Sequence, residues 1–316
     1  MCQNAASVNR LGRRPFALFA TAAACAAVVP AASTQAQGAP AFPAATGITL
    51  DVKAPKRVAL LKKVVASGQL ANPLANDNVF ITVRASGRQV DTQKVSAKPD
   101  GSFEYAFTVD ACCAYVVTAE NGDKKASDGF QVAVPKKLGK GRVASLYNRS
   151  LQAQGFHTGT KGGRVTSGTR LATKAFRKTN GMGRSEAYRP SILRKLLQDK
   201  GAFRPRYKRG RHVEVDISRQ VMSLVVGDTP VHTFHVSTGA SSTRTPSGNF
   251  RFYRRQAGYN AKRMYFSVYY RGGYATHGYN PVPNYPASHG CTRNPIQFSR
   301  FIYNWVDIGM PIHVYR

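Results

Sequence analysis

The sequence predicts a multidomain chain: an N-terminal β-sandwich, a small three-helix module and a C-terminal mostly-β domain. Three observations carry that prediction. Apolar residues alternate with a period of two from Gly47 to Val134, then recur at three- and four-residue spacing as far as Leu197, and return to alternation from Val213. Strands place successive side chains on opposite faces, whereas helices bring every third or fourth together, so a change of period marks a change of element. At 316 residues the chain is long enough for two or three such units.

The N-terminus reads as an export signal over 1–36. Arg10, Arg13 and Arg14 precede an apolar, alanine-rich run from Phe16 to Val29, and Thr34-Gln35-Ala36 supplies the small residues of a cleavage site. Pro30 stops the run before it reaches a comfortable membrane-spanning length. The expected location is the cell wall or periplasmic space, with anchoring by an uncleaved signal segment as the alternative. Arg13-Arg14-Pro15-Phe16 and Ala23-Ala24-Cys25 are incomplete versions of a twin-arginine and a lipoprotein signal. Residues 37–46, rich in Ala, Pro and Gly, read as a linker.

The sandwich is expected over 47–135. Ile48-Leu50-Val52, Val79-Ile81-Val83, Phe103-Tyr105-Phe107-Val109, Tyr115-Val117 and Phe130-Val132-Val134 each alternate, and Pro99-Asp100-Gly101-Ser102 is a turn in which Gly supplies the positive φ. The segment is similar to the immunoglobulin-like modules of bacterial surface proteins, which implies a spacer or wall-contacting arm and no chemistry. Export would remove Cys2 and Cys25, leaving Cys112, Cys113 and Cys291. Adjacent residues on a strand point to opposite faces, so no disulfide is expected between Cys112 and Cys113, and Cys291 is expected to be free.

After a Lys/Gly hinge from Lys136 to Arg142, three short helices are expected within 143–200. Their faces are Val143, Leu146, Tyr147 and Leu151, then Leu171, Ala172, Ala175 and Phe176, then Ile192, Leu193, Leu196 and Leu197. A basic linker, Gly201 to Gly210, leads into a domain over 211–316. There Val213-Val215-Ile217, Met222-Leu224-Val226, Phe250-Phe252 and Met264-Phe266-Val268-Tyr270 alternate as strands. His232 and His235 face opposite sides of a strand and are read as structural. Asn294 suits an N-cap and Pro295 the first helical position, ahead of a helix with Phe298, Phe301, Ile302 and Trp305 on one face. Ile312 and Val314 form a last strand.

The chemistry-bearing stretch lies between Tyr274 and Pro295. His277-Gly278 is followed, after a loop stiffened by Pro281, Pro283 and Pro286, by Ser288-His289-Gly290-Cys291-Thr292-Arg293. A thiol attacks as thiolate, so a nucleophilic Cys291 needs a base, a cation or backbone donors; His277, His289 and Arg293 are the candidates. Gly290 lets the backbone approach a reacting carbonyl closely. Two plainer readings stand beside this one. His277, His289 and Cys291 could be zinc ligands, although no fourth ligand is evident, or Cys291 could be a buried structural thiol.

These residues resemble the signature of the L,D-transpeptidase catalytic domain, which remodels bacterial peptidoglycan. Val215-Asp216-Ile217-Ser218-Arg219-Gln220, Val236-Ser237-Thr238-Gly239 and Thr245-Pro246-Ser247-Gly248 resemble the same family's opening strands and loop. The resemblance implies a cysteine acyltransferase acting on tetrapeptide stems without a cofactor, with Cys291 as nucleophile and His277 as base, oriented by the carbonyl of Gly278. It further implies an oxyanion site from the amides of His289, Gly290 and Cys291, with Ser288 and Arg293 holding the loop and the substrate. The product would be a 3→3 cross-link, and a carbapenem would acylate Cys291. Thr292 and Asn294 depart from the family's usual apolar residues. Leu151-Gln152, Gly155-Phe156, Gly159, Thr169, Ala175-Phe176 and Asn180-Gly181 are loosely similar to a peptidoglycan-binding module; Lys161-Gly162-Gly163-Arg164 and Arg177 depart from it, and a plain three-helix spacer is the alternative.

Charge sets the expected partners. Lys and Arg number 46 against 15 Asp and Glu, a formal net charge of +31. That field draws polyanions. Nucleic acid is disfavoured by the export signal and by the lack of a recognition motif; anionic cell-envelope polymers are the expected partners, a solvated basic surface with no specific partner is the alternative, and the resemblance adds peptidoglycan stem peptides as the substrate of a monomer. A hydrolase using the same thiol and a non-catalytic wall-binding protein are the alternative functions.

Overall fold

A computed structural model describes residues 47–160 and 162–316. The signal segment, the linker over 37–46 and Lys161 lie outside the described residues. The N-terminal part runs β1 (Ile48–Lys53), β2 (Arg57–Ala59), β3 (Lys63–Leu70), β4 (Asn78–Ala85), β5 (Arg88–Ser96), β6 (Ser102–Thr108), β7 (Ala114–Asn121) and β8 (Lys124–Ala133). They form a three-stranded sheet, β1-β3-β6, and a five-stranded sheet, β2-β8-β7-β4-β5. Val52, Ala66 and Phe103 of the first and Ile81, Val83 and Val117 of the second belong to one buried cluster. Each Val, Ile or Phe among them contributes about 1.5–3 kcal/mol through removal from water. Phe107, Tyr115 and Phe130 stack within it, with centroids 6.0 and 5.1 Å apart along the row.

The alternating runs each fall in a strand, but β3 and β5 do not announce themselves. β3 is interrupted by Gly68, and β5, Arg-Gln-Val-Asp-Thr-Gln-Lys-Val-Ser, is a mostly exposed edge strand whose pairing comes from β4. The expectation for Cys112 and Cys113 is corrected. The pair sits in the loop between β6 and β7, so strand alternation does not separate the sulfurs, and the two are joined in a disulfide. Cys291 is free.

Next come α1 (Arg142–Ala153), α2 (Ser167–Thr179) and α3 (Pro190–Leu197). Thr166 caps α2 in a reciprocal box with Thr169, satisfying two amide donors at once. Pro190 opens α3, where its missing N–H costs nothing. The three helices do not stand apart as a module. Tyr147, Leu151, Phe176 and Leu193 bury into the same cluster as the N-terminal strands.

The C-terminal part contains β9 (Arg211–Asp216), β10 (Val221–Val226), β11 (Thr229–His235), β12 (Gly248–Arg251), β13 (Arg254–Tyr259), β14 (Tyr265–Arg271), β15 (Tyr274–Tyr279), β16 (Thr292–Pro295), α4 (Ile296–Trp305) and β17 (Pro311–Tyr315). Two sheets result, β11-β10-β9-β17-β12 and β13-β14-β15-β16. Their core takes Val213, Val215, Met222, Leu224 and Phe234 from one, Val268 and Tyr270 from the other, and Phe298 and Ile302 from α4. Asn294 is not the cap of α4. It lies in β16, where its amide donates to Thr276 Oγ1 (3.1 Å) and its carbonyl accepts from Ser299 Oγ (2.9 Å), and Pro295 occupies the cap position. At the β11 edge Phe156 pairs with Thr233, which joins the helical segment to this sheet. Among the described residues no helix is long and apolar enough to cross a membrane.

Candidate active site

β15 and β16 run parallel, with Thr276 opposite Thr292 and His277 opposite Arg293. Cys291 immediately precedes β16, two residues from Arg293. Side chains two apart share a face, so this register puts Cys291, Arg293 and His277 on one side of the sheet. Cys291, His277, Ser288, His289 and Arg293 line one cavity of about 280 Å³, together with Lys262, Met264, Gly273, Tyr274 and Tyr279.

His277 is 4% exposed, and its Nδ1 lies 2.9 Å from the carbonyl of Gly278. A carbonyl only accepts, so Nδ1 carries the proton and Nε2 is the bare, basic nitrogen. Burial pushes the imidazole down to about 4, with the Arg293 charge acting in the same direction, so it is neutral at physiological pH. Burial likewise raises the Cys291 thiol, against the lowering effects of the Ala275 backbone N–H and of Arg293 and Lys262. The sulfur lies 3.7 Å from the Gly273 carbonyl and 4.0 Å from Met264 Sδ. The resting pair is therefore a neutral thiol and a neutral imidazole, and no preformed ion pair stands between them.

The loop carrying the thiol is fixed from within and from behind. Ser288 Oγ donates to the Cys291 carbonyl (2.5 Å) and accepts from the Gly290 N–H (3.0 Å). Thr243 Oγ1 and the Ala240 N–H both donate to the Ser288 carbonyl, and Thr245 Oγ1 donates to that of Gly290. Gly290 has φ +111°, and a Cβ there would strike the Tyr274 ring, so the position admits only glycine. Gly278 is constrained as well, since a Cβ would overlap Ser299 at the start of α4.

The Gly290 amide is committed to Ser288 Oγ, which removes it from the expected oxyanion set. Arg293 donates to the Ala287 carbonyl (3.1 Å) and lies 4.0 Å over the Tyr279 ring, so its guanidinium braces the loop. His289 is exposed and lines the cavity. Tyr274 and Tyr279 line the cavity, while Tyr285 is 63% exposed and does not. Lys262 and Met264 were not legible as site residues. They arrive from the β13–β14 hairpin, and their sequence distance from the motif carries no signal. Among the described residues no group of three or more His, Cys, Asp or Glu is disposed to hold a metal ion.

Residues 210–314 match the family model described as YkuD, L,D-transpeptidase catalytic domain. Among solved structures, an L,D-transpeptidase from Xylanimonas cellulosilytica DSM 15894 is 27% identical with a TM-score of 0.53, over 58% of this chain and 97% of that one. An L,D-transpeptidase from Stackebrandtia nassauensis is 19% identical with a TM-score of 0.36, over 58% and 96%. One from Mycobacterium tuberculosis H37Rv is 12% identical with a TM-score of 0.32, over 84% and 98%. No curated protein matches. The strand order that brings a buried imidazole and a free thiol to one cavity thus occurs in a segment, residues 210–314, that matches the L,D-transpeptidase catalytic-domain model.

Proposed function

We propose that the protein is a cysteine-dependent L,D-transpeptidase acting on peptidoglycan tetrapeptide stems. The observation that carries the reading is the Nδ1 contact of His277 with the Gly278 carbonyl, which leaves Nε2 free to accept a proton in the cavity that also holds Cys291.

In the donor step Nε2 of His277 takes the thiol proton as Sγ attacks the carbonyl of the third stem residue. The amides of His289 and Cys291 receive the developing oxyanion. Collapse breaks the peptide bond to the terminal D-alanine, and the imidazolium returns its proton to the departing amine. In the acceptor step His277 deprotonates the incoming amine of a second stem, the amine attacks the thioester, and Cys291 leaves as thiol. The result is a 3→3 cross-link. Gly278 orients the base, and Ser288 and Arg293 hold the nucleophile's loop.

The remaining assignments complete the proposal: an exported protein of the wall or periplasmic space, a spacer over 47–135, helices over 143–200 that contact the glycan polymer, and a basic surface that adheres to anionic envelope polymers. Incubation of purified protein with tetrapeptide stems tests the chemistry. Cross-linked dimer is expected, trimmed tripeptide alone would indicate a hydrolase, and unchanged stems would contradict the proposal.

A further inference from the structure

Lys178, one residue before the end of α2, is 2% exposed and pairs with no carboxylate among the described residues. Its Nζ instead meets three groups of the C-terminal domain: the carbonyls of Gln220 (3.2 Å) and Val236 (3.0 Å) and His235 Nδ1 (3.0 Å). The charged groups around it are engaged elsewhere. Lys174 pairs with Glu186 at 2.7 Å, and Arg184 donates to the carbonyls of Asn284 and Ser218. Burial pushes the Lys178 amine down to about 6, with Arg184 and Lys174 adding to the effect. A buried amine without a counter-charge is costly, and a seam between helix and sheet needs only apolar packing.

Its acceptors lead to the nucleophile. The Gln220 carbonyl also takes the Val236 N–H (3.0 Å), and the Gln220 side chain clasps Thr238 twice, through Thr238 Oγ1 (2.6 Å) and the Thr238 N–H (2.8 Å). The Thr238 carbonyl then accepts from Ala287 (2.8 Å) and Ser288 (3.0 Å), while Ser237 and Arg293 exchange both backbone bonds at 2.9 and 2.8 Å. The segment from Val236 to Ala240 is therefore a shelf on which the Cys291 loop hangs. Lys178 pins its near end from outside the catalytic domain.

From this geometry we infer that Lys178 is a positioning residue for Cys291, acting through the Gln220–Thr238 clasp and the shelf. The inference deepens the transpeptidase reading and rests on it, because the positioned group is the nucleophile of that reaction. It also makes the helical segment part of the working catalytic unit.

A second contact across the same seam provides the control. His157 Nδ1 lies 3.2 Å from His232 Nδ1, and both rings pack against Phe301 of α4. Full-length protein is assayed for acylation of Cys291 by a tetrapeptide stem, for alkylation of Cys291 by iodoacetamide, and for Tm. Lys178→Met is expected to slow both reactions about 10-fold with little change in apparent donor affinity, since small misplacements of a reacting group act on rate. Thr238→Val, which removes one arm of the clasp, is expected to do the same and stands in if Lys178→Met does not fold. His232→Ala is expected to lower Tm and leave both rates unchanged. Wild-type rates in both Lys178→Met and Thr238→Val, or an equal loss in His232→Ala, would overturn the inference. Failure of the wild type to be acylated would instead overturn the transpeptidase reading, and the iodoacetamide rates would still decide the positioning role.

Discussion

In the proposed mechanism His277 serves as the base, since its surroundings keep it neutral and its Gly278 contact selects the tautomer. The sign of the resulting pH dependence follows directly. The base form of a depressed imidazole persists at lower pH than usual, so acylation of the free enzyme should hold through pH 6 and fall as pH drops through about 4; an ordinary histidine would give a fall near 6.5. A pH profile of the second-order acylation rate checks this. His277→Ala should lower that rate about 10²–10⁴-fold, measured beside a circular-dichroism check of the fold. The residues of this pair were legible in the sequence, because the His-Gly and Ser-His-Gly-Cys-Thr-Arg runs carry them. The assignment of individual amides was not. Gly290 reads as an oxyanion donor until its N–H is seen bonded to Ser288 Oγ.

At the scale of elements, the parallel pairing of β15 with β16 brings residues 14 apart in sequence onto one face, and α4 must pack close behind it. Gly278→Ala forces a Cβ into Ser299, whose Oγ is already tied to Asn294. Overpacking of this kind costs about 1–3 kcal/mol, and chemical denaturation should show it together with slowed acylation. The segment before β9, read as a linker, has a firm anchor. Fully buried Glu214 accepts from the amides of Arg206 (3.0 Å) and Tyr207 (2.8 Å) and from Tyr315 Oη (2.5 Å). Glu214→Ala would orphan those donors at about 1–3 kcal/mol for each one left buried, visible as a lower Tm. Strands with clean alternation were readable from sequence. β5 was not, because its polar face is open to solvent and its pairing is imposed by β4. The cap of α4 was misplaced because Asn294 spends its side chain on Thr276 and Ser299.

For the whole molecule, the change of hydrophobic period located the helices but could not show what they cover. The sequence offered a separate three-helix module, loosely similar to a peptidoglycan-binding one. In the structure α2 abuts β11, Phe156 bridges Thr233, and Lys178 is buried against the catalytic sheet. Deleting 143–200 should therefore leave an open β11 edge and an exposed apolar seam. The expected outcome is a protein that aggregates or melts earlier in a thermal scan, in place of an intact catalytic fragment. The proposed chemistry turns on one sulfur atom, and peptide-mapping mass spectrometry after incubation with a tetrapeptide stem or a carbapenem tests it most directly. A covalent acyl adduct on Cys291, absent from Cys291→Ala, is the predicted result; a wild-type protein that remains unmodified, or is modified only at another residue, would contradict it.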